Sequence, residues 1–401
     1  MKFRPPPILR SRRAALIAVL VISVATHFAF YGTPDTVVFD EVHFGKFVSA
    51  YYTGEYYFDI HPPLGKLIIA GVAKVFGFVP SADFETIGGA FSGNSHLYLR
   101  LLPTLAGALL APVIFLLALE LGLSVAAAFA AGALIGMDNA LLVQSRLVLL
   151  DSFLLLFGFS SVLCYLRWRN GGSRWFLPAA GVLAGAAAGI KWTGLSFLAI
   201  VGVMELAHLW IDRKGTARKR LHTVALSLVA APLIVYTASF VVHFALLPKS
   251  GPGDAFMSQS FQATLQGSRY AQEGEDWPPI NLLSMVVELN AEMFRSNQRL
   301  TATHPYSSAW YTWPFMTRPI FYWVGDMSRI YLLGNPVVWY GSTAAVVLAL
   351  WFLVRRFRRE QVLAVLVGAY ALNFLPFIGI GRVMFLYHYF TALVFAVLVL
   401  A

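Results

Sequence analysis

The sequence predicts an all-α, multispan membrane protein with about ten or eleven transmembrane helices, and three observations predict it. Of 401 residues, 58% are hydrophobic and only 12% are charged, about half the charge density of a soluble domain. The mean hydropathy is +0.68. The apolar runs are long and unbroken rather than alternating, and in lipid a backbone satisfied within each segment is a helix.

The first apolar run covers 14–32, behind a basic start with Lys2, Arg4, Arg10, Arg12 and Arg13. It is long for a signal-peptide core, so an uncleaved first span is expected, with cleavage near Ala25 as the alternative. Further spans are expected near 98–120, 125–143, 148–166, 176–190, 193–210, 222–247, 336–354, 361–379 and 383–401. Residues 64–79 carry Lys66 and Lys74 on an otherwise apolar segment, which reads as an interfacial amphipathic helix. No fixed-period repeat and no separate soluble domain are visible, so residues 1–401 read as one transmembrane domain.

Thirty Lys and Arg against twenty Asp and Glu give a net charge of +10. In a chain this apolar the excess reads as positive-inside topology and argues against a nucleic-acid partner. With the N-terminus cytoplasmic, the segments RWRNGGSRW, IDRKGTARKR and RRFRRE also fall inside, and together they hold most of the basic residues. Most acidic residues fall outside, as do the two longest non-spanning segments, 33–97 and 248–335. Chemistry is therefore expected on the extracytoplasmic face. The single cysteine, Cys164, lies in an apolar run and reads as a small core residue.

The outer ends of the helices carry polar residues that lipid disfavours. FDEVHFGKFVSAYYTGEYYFDIHPPLGKL places Asp40 beside Glu41, followed by His43, Lys46 and His61. Adjacent residues do not face one another on a helix, so the two carboxylates would divide their roles. Alone, the pair is also what a solvated helix start looks like, with Asp40 as N-cap. MDNALLVQSRLVLLD sets Asp138, Asn139, Gln144, Arg146 and Asp151 in apolar surroundings, either as a functional patch or as a turn closed by an Arg–Asp pair. Arg100 and Lys191 sit at similar depth, and GRVMFLYHYF offers Arg382, Tyr387, His388 and Tyr389. HPYSSAWYTWP interleaves His304, Trp310 and Trp313 with prolines, and Arg318 follows; such aromatics suit a sugar ring or a membrane interface equally. No Gly-rich nucleotide loop and no metal-ligand spacing occurs in the sequence, against a nucleotide-driven pump. Carboxylates beside cations imply transfer from a lipid-linked phosphate to an acceptor that must lose a proton. A transporter is the distant alternative, disfavoured because the ionisable residues gather at one face.

Five blocks in order, DEVHFGKFVSAYYTGEYYFDIHPPLGKL, MDNALLVQSRLVLLDSFLLLF, GIKWTGL, HPYSSAWYTWP and RVMFLYHYF, resemble the motifs of the protein O-mannosyltransferase family, which is of the GT-C class. The resemblance spans most of the chain from 39 to 390. It implies transfer of mannose, with inversion, from polyprenyl-phosphate mannose to Ser or Thr hydroxyls of secreted or membrane proteins. The nearer alternative is another GT-C transferase acting on a lipid or glycan. Segment 248–335 leaves no room for the β-trefoil MIR module of eukaryotic members, so the chain resembles the bacterial branch, with a bacterial polyprenyl donor and a plasma-membrane location. Family members usually continue beyond the last block by more than one span, which leaves open a missing C-terminal span or spans.

By this resemblance Asp40 is the catalytic base and Glu41 orients the acceptor or neighbouring cations. Arg100, Arg146 and Arg382, with His61, Lys191 and His304, are expected to bind the donor phosphate or sugar. Asp138, Asn139, Trp310, Tyr387 and His388 are expected to position the acceptor. No cofactor is required, because cationic side chains can neutralise the leaving phosphate; a divalent metal is left open.

Overall fold

The computed structural model describes residues 11–80, 84–211, 220–272, 277–278, 280–356 and 360–401. Lys2, Arg4, Arg10, most of the loop 211–220 and residues 357–359 of the last basic segment lie outside them. The protein is mainly helical, and each of the ten apolar runs forms helix.

Helix α1 (Arg12–Phe28) starts where the Ser11 hydroxyl accepts from the Ala14 amide at 3.3 Å. Segment 33–97 holds two helices, α2 (Glu41–Thr53), ended by Gly54 in the left-handed region, and α3 (Leu64–Val75). Then follow α4 (Ser95–Glu120), α5 (Val125–Gly136), α6 (Asn139–Ser145), α7 (Asp151–Arg169), α8 (Phe176–Ile190) and α9 (Leu195–Ile211). Helix α10 (Leu221–Leu246) contains a π-turn at Leu226–Ala230. Segment 248–335 carries α11 (Leu282–Arg299) and an antiparallel hairpin of β1 (Ile320–Val324) and β2 (Arg329–Leu332). Helices α12 (Pro336–Arg356), α13 (Gln361–Phe374) and α14 (Phe390–Leu400) complete the chain.

Among the described residues five helices are long and apolar enough to cross a membrane: Ser95–Glu120, Trp192–Ile211, Leu221–Leu246, Pro336–Arg355 and Gln361–Gly379. The span expected at 125–143 is instead two helices, α5 and α6, bent by 55°. The bend follows from Asp138, whose buried carboxylate caps α6 by accepting from the Ala140 and Leu141 amides, each at 3.1 Å. Small residues let helices pack closely: a Cβ on Gly185 of α8 would lie 2.6 Å from the Pro232 backbone of α10. Helix α3 departs from a simple interfacial helix, because Lys66 turns inward and is 1% exposed while Lys74 stays outside.

Candidate active site

Asp40 and Glu41 leave the backbone in opposite directions. Phe39 precedes them with φ +47°, a left-handed conformation that is unfavourable for a large aromatic residue. Its ring stacks on Tyr322 of β1, with centroids 4.1 Å apart, which holds the turn. From this turn Glu41 enters the core and Asp40 faces a cavity of about 600 Å³.

Glu41 is fully enclosed. Its carboxylate accepts from Arg100 Nε at 2.7 Å and Nη2 at 2.6 Å, and from the Val38 and Val148 amides, each at 2.8 Å. Arg100, also fully buried, donates its remaining bonds to the carbonyls of Pro34 at 2.5 Å, Thr36 at 2.9 Å and Gly32. Of the two roles expected of it, Glu41 takes that of holding a neighbouring cation, and the phosphate-binding expectation for Arg100 is corrected. Glu41 has no lone pair left for the acceptor, and Arg100 has no face left for a phosphate; together they lock segment 33–97 onto α4. Arg146 is corrected likewise, because it donates from Nε to the His27 carbonyl at 3.1 Å and from Nη2 to the Thr26 carbonyl, clamping the end of α1.

Asp40 is the opposite case. It makes no side-chain cap bond, and its carboxylate has no hydrogen-bond partner among the described residues. Burial raises its pKa to about 7; Lys191 pulls it down, while Asp151 and Asp59 push it up. A carboxylate poised near neutrality and open to a cavity suits proton abstraction.

Beside Asp40 runs a polar chain. Lys191 Nζ lies 2.7 Å from Asp151 Oδ1, Gln144 donates to Asp151 Oδ2 at 2.6 Å, and the Tyr322 hydroxyl donates to Gln144 at 2.6 Å. Thus Asp151 pairs with Lys191, not with Arg146. Lys191 sits in an extended break between α8 and the turn at Trp192–Gly194. There Gly194 passes so close to Ala187 that a Cβ would lie 2.3 Å from its carbonyl. Lys191 also caps the Tyr387 ring at 5.4 Å. Arg382 is half-buried and, among the described residues, has neither a carboxylate nor a carbonyl partner. His388, which neighbours Lys191, stacks on Trp313 with centroids 5.9 Å apart.

A third cluster lies on the cavity side. Asp59 bridges His61 Nδ1 at 3.1 Å and Lys66 Nζ, and Lys66 also donates to the His61 carbonyl at 2.9 Å. Burial alone would raise the Asp59 carboxyl, but Lys66 and then His61 outweigh it and hold it well below the usual carboxylate range. His61 lines the cavity and still feels the charge of Lys191.

The remaining expected residues divide. Asp138 accepts from the Asn335 amide at 3.0 Å and Trp339 Nε1 at 2.9 Å, and Asn139 donates to the Leu333 carbonyl at 2.9 Å. Both anchor the segment before α12 and are corrected from acceptor positioning to structure. Trp310 packs edge-on against Phe374 at 5.0 Å, a structural contact. His304 accepts from the Tyr306 amide at 3.1 Å and abuts Phe385. It lies in the loop that docks onto Met384 through Ser308. Asp59, Lys66 and Tyr322 were not foreseen as site residues. The available signal was an acid set among apolar residues two positions before His61.

Two family models match the chain. One, for dolichyl-phosphate-mannose-protein mannosyltransferase, covers 17–248; the other, for the C-terminal four-transmembrane region of protein-O-mannosyltransferase, covers 282–401. A protein O-mannosyltransferase 1 from Drosophila pseudoobscura pseudoobscura is 38% identical over 261 residues, 62% of this chain and 29% of that one. A dolichyl-phosphate-mannose–protein mannosyltransferase 4 from Candida albicans is 38% identical over 274 residues, 64% of this chain and 36% of that one. The chain thus spans about a third of these relatives' length. In structure it resembles the S. cerevisiae protein O-mannosyltransferase Pmt1-Pmt2 complex bound to the sugar donor, with a TM-score of 0.90 at 20% identity, covering 97% of this chain and 84% of that one. That likeness shows a shared multi-pass membrane fold.

Proposed function

The chain belongs to the protein O-mannosyltransferase family, and on that premise we propose that it transfers mannose from a polyprenyl-phosphate mannose to Ser or Thr hydroxyls of polypeptides. The observation that carries the proposal is Asp40, an unpartnered carboxylate with a pKa of about 7 that lines the open cavity and feels the charge of Lys191.

Asp40 accepts the hydroxyl proton as the acceptor oxygen bonds to the anomeric carbon. The bond from that carbon to phosphate oxygen breaks, and its electron pair leaves with the phosphate. Lys191 and Arg382 face the charge that grows on that phosphate, so they stabilise the transition state more than the ground state. The second carboxylate, Asp151, is tied to Lys191 and Gln144, which leaves Asp40 without a carboxylate partner for a double displacement among the described residues on that side. A single displacement inverts the anomeric centre. The cations take the role a divalent metal could fill, and we propose transfer that survives a chelator.

Orientation follows from charge. Arg167, Arg169 and Arg174 mark the cytoplasmic end, and Asp40 with the β1–β2 hairpin marks the extracytoplasmic end. The lack of room for a MIR module in 248–335 supports a bacterial-type member, for which we propose a plasma-membrane location. The test incubates purified protein with radiolabelled polyprenyl-phosphate mannose, a Ser/Thr peptide and, separately, lipid or glycan acceptors. Label on the peptide supports the reading; label on lipid or glycan alone removes it.

A further inference from the structure

Asp40 has two sides, and the structure furnishes them differently. Lys191, Arg382, Tyr387 and His388 gather on one side, and none of them lines the cavity of about 600 Å³. On the other side Asp40 shares that cavity with His61, Asp59, Phe44 and Phe47, and α11 closes it with Ser296. Among the described residues its other charged lining is the Asp59 carboxylate, already bound by Lys66, Glu292, paired with Arg295, and Arg299 at the end of α11, with His43 beside them. Three acids against one arginine disfavour a phosphate here and suit a polypeptide.

His61 is built to offer a lone pair there. Asp59 accepts, so the hydrogen is on His61 Nδ1 and Nε2 is bare. The side chain is 25% exposed, and Nε2 has no partner among the described residues. Burial, against the opposing pull of Asp59, keeps the imidazole below its ordinary pKa and therefore neutral. A neutral imidazole with its Nδ1 hydrogen pinned accepts a hydrogen bond at Nε2 and grips no anion.

We propose that His61 is an acceptor-positioning residue: its Nε2 accepts a hydrogen bond from a backbone N–H of the polypeptide, holding the Ser or Thr hydroxyl against Asp40. The inference rests on the proposed function and specifies the acceptor half of that site. The hydroxyl proton is committed to Asp40, so the backbone amide is the donor every polypeptide can present to His61, whatever its side chains. Phe44 and Phe47 then pack against the chain on either side. Asp59 and Lys66 act behind His61, fixing its tautomer and its ring.

The test uses purified protein with saturating polyprenyl-phosphate mannose and a Ser/Thr peptide. His61→Phe should raise the peptide KM roughly threefold to tenfold, the loss of one hydrogen bond, and leave the donor KM unchanged. His61→Gln, whose amide oxygen falls near the Nε2 position, should recover part of the loss. In peptides methylated at one amide nitrogen at a time, one position should cost the wild type severalfold and cost His61→Phe nothing. A raised donor KM with an unchanged peptide KM would put His61 on the phosphate and overturn the inference. So would equal losses for every methylated peptide, or kinetics unchanged by either substitution. A wild-type protein that mannosylates no peptide overturns the proposed function and this inference with it; a wild type that does, with indifferent His61 variants, overturns this inference alone.

Discussion

Glu41 and Arg100 meet fork to fork, at 2.7 and 2.6 Å, with neither side chain exposed. A buried pair of this kind fixes geometry, and removing one partner strands the other charge without solvent. Glu41→Gln should therefore lower stability by about 3–5 kcal/mol, as should Arg100→Met. Thermal unfolding in detergent checks this. The double variant should be closer to wild type than the two losses summed. A Glu41→Gln protein with an unchanged melting point and lost transfer would place Glu41 in the chemistry rather than in the structure.

Asp40→Asn keeps size and loses basicity. The variant should insert and melt like wild type, bind donor, and lose at least about a hundredfold in transfer. Single-turnover assays beside a donor-binding measurement separate the two effects.

The same residue sets the pH dependence. Its pKa is raised to about 7, so the active carboxylate grows as pH climbs through that value. Log kcat/KM should rise with unit slope below about pH 7 and level off above it. Lys191 favours the anion, so Lys191→Met should move the limb to higher pH. Asp151 disfavours it, so Asp151→Asn should move the limb lower. A limb that ignores both substitutions would belong to another group.

The arginines should separate by their partners. Arg382 has none among the described residues, so Arg382→Ala should cost about 1.5–3 kcal/mol in donor recognition, roughly ten- to a hundredfold in kcat/KM for donor. Arg146, bonded to the carbonyls that end α1, should when changed to Ala cost stability and leave transfer per folded molecule near normal.

Sidedness is checked with single cysteines in a Cys164→Ala background. Ser173→Cys, in the basic turn before α8, should label from the cytoplasm. Met327→Cys, at the 98% exposed hairpin tip, should label from outside. Labelling of both from one side would move the proposed chemistry to the wrong face.

The sequence by itself determined the solvent, the helical class and the family. Those follow from apolar run length, charge clustering and ordered motifs, all local in the chain. It marked Asp40 only through the resemblance of the ordered motifs, because alone an acid pair at a helix start also reads as a solvated N-cap. It could not decide which polar residues face substrate. Asp40 and Glu41 are identical in kind and adjacent, yet the turn at Phe39 sends one into a cavity and the other into the core. Arg100, Arg146 and Arg382 are equally cationic in sequence. Only Arg382 keeps its charge unspent, because Glu41 and the carbonyls around Pro34 claim Arg100 and the end of α1 claims Arg146. The same holds for Asp138, consumed by the Asn335 amide and the Trp339 indole, and for His61, kept neutral by burial and oriented as an acceptor by Asp59. Whether a polar group acts outward depends on the partners that satisfy it, and those partners lie up to two hundred residues away in the chain, where only the packed helices bring them into reach.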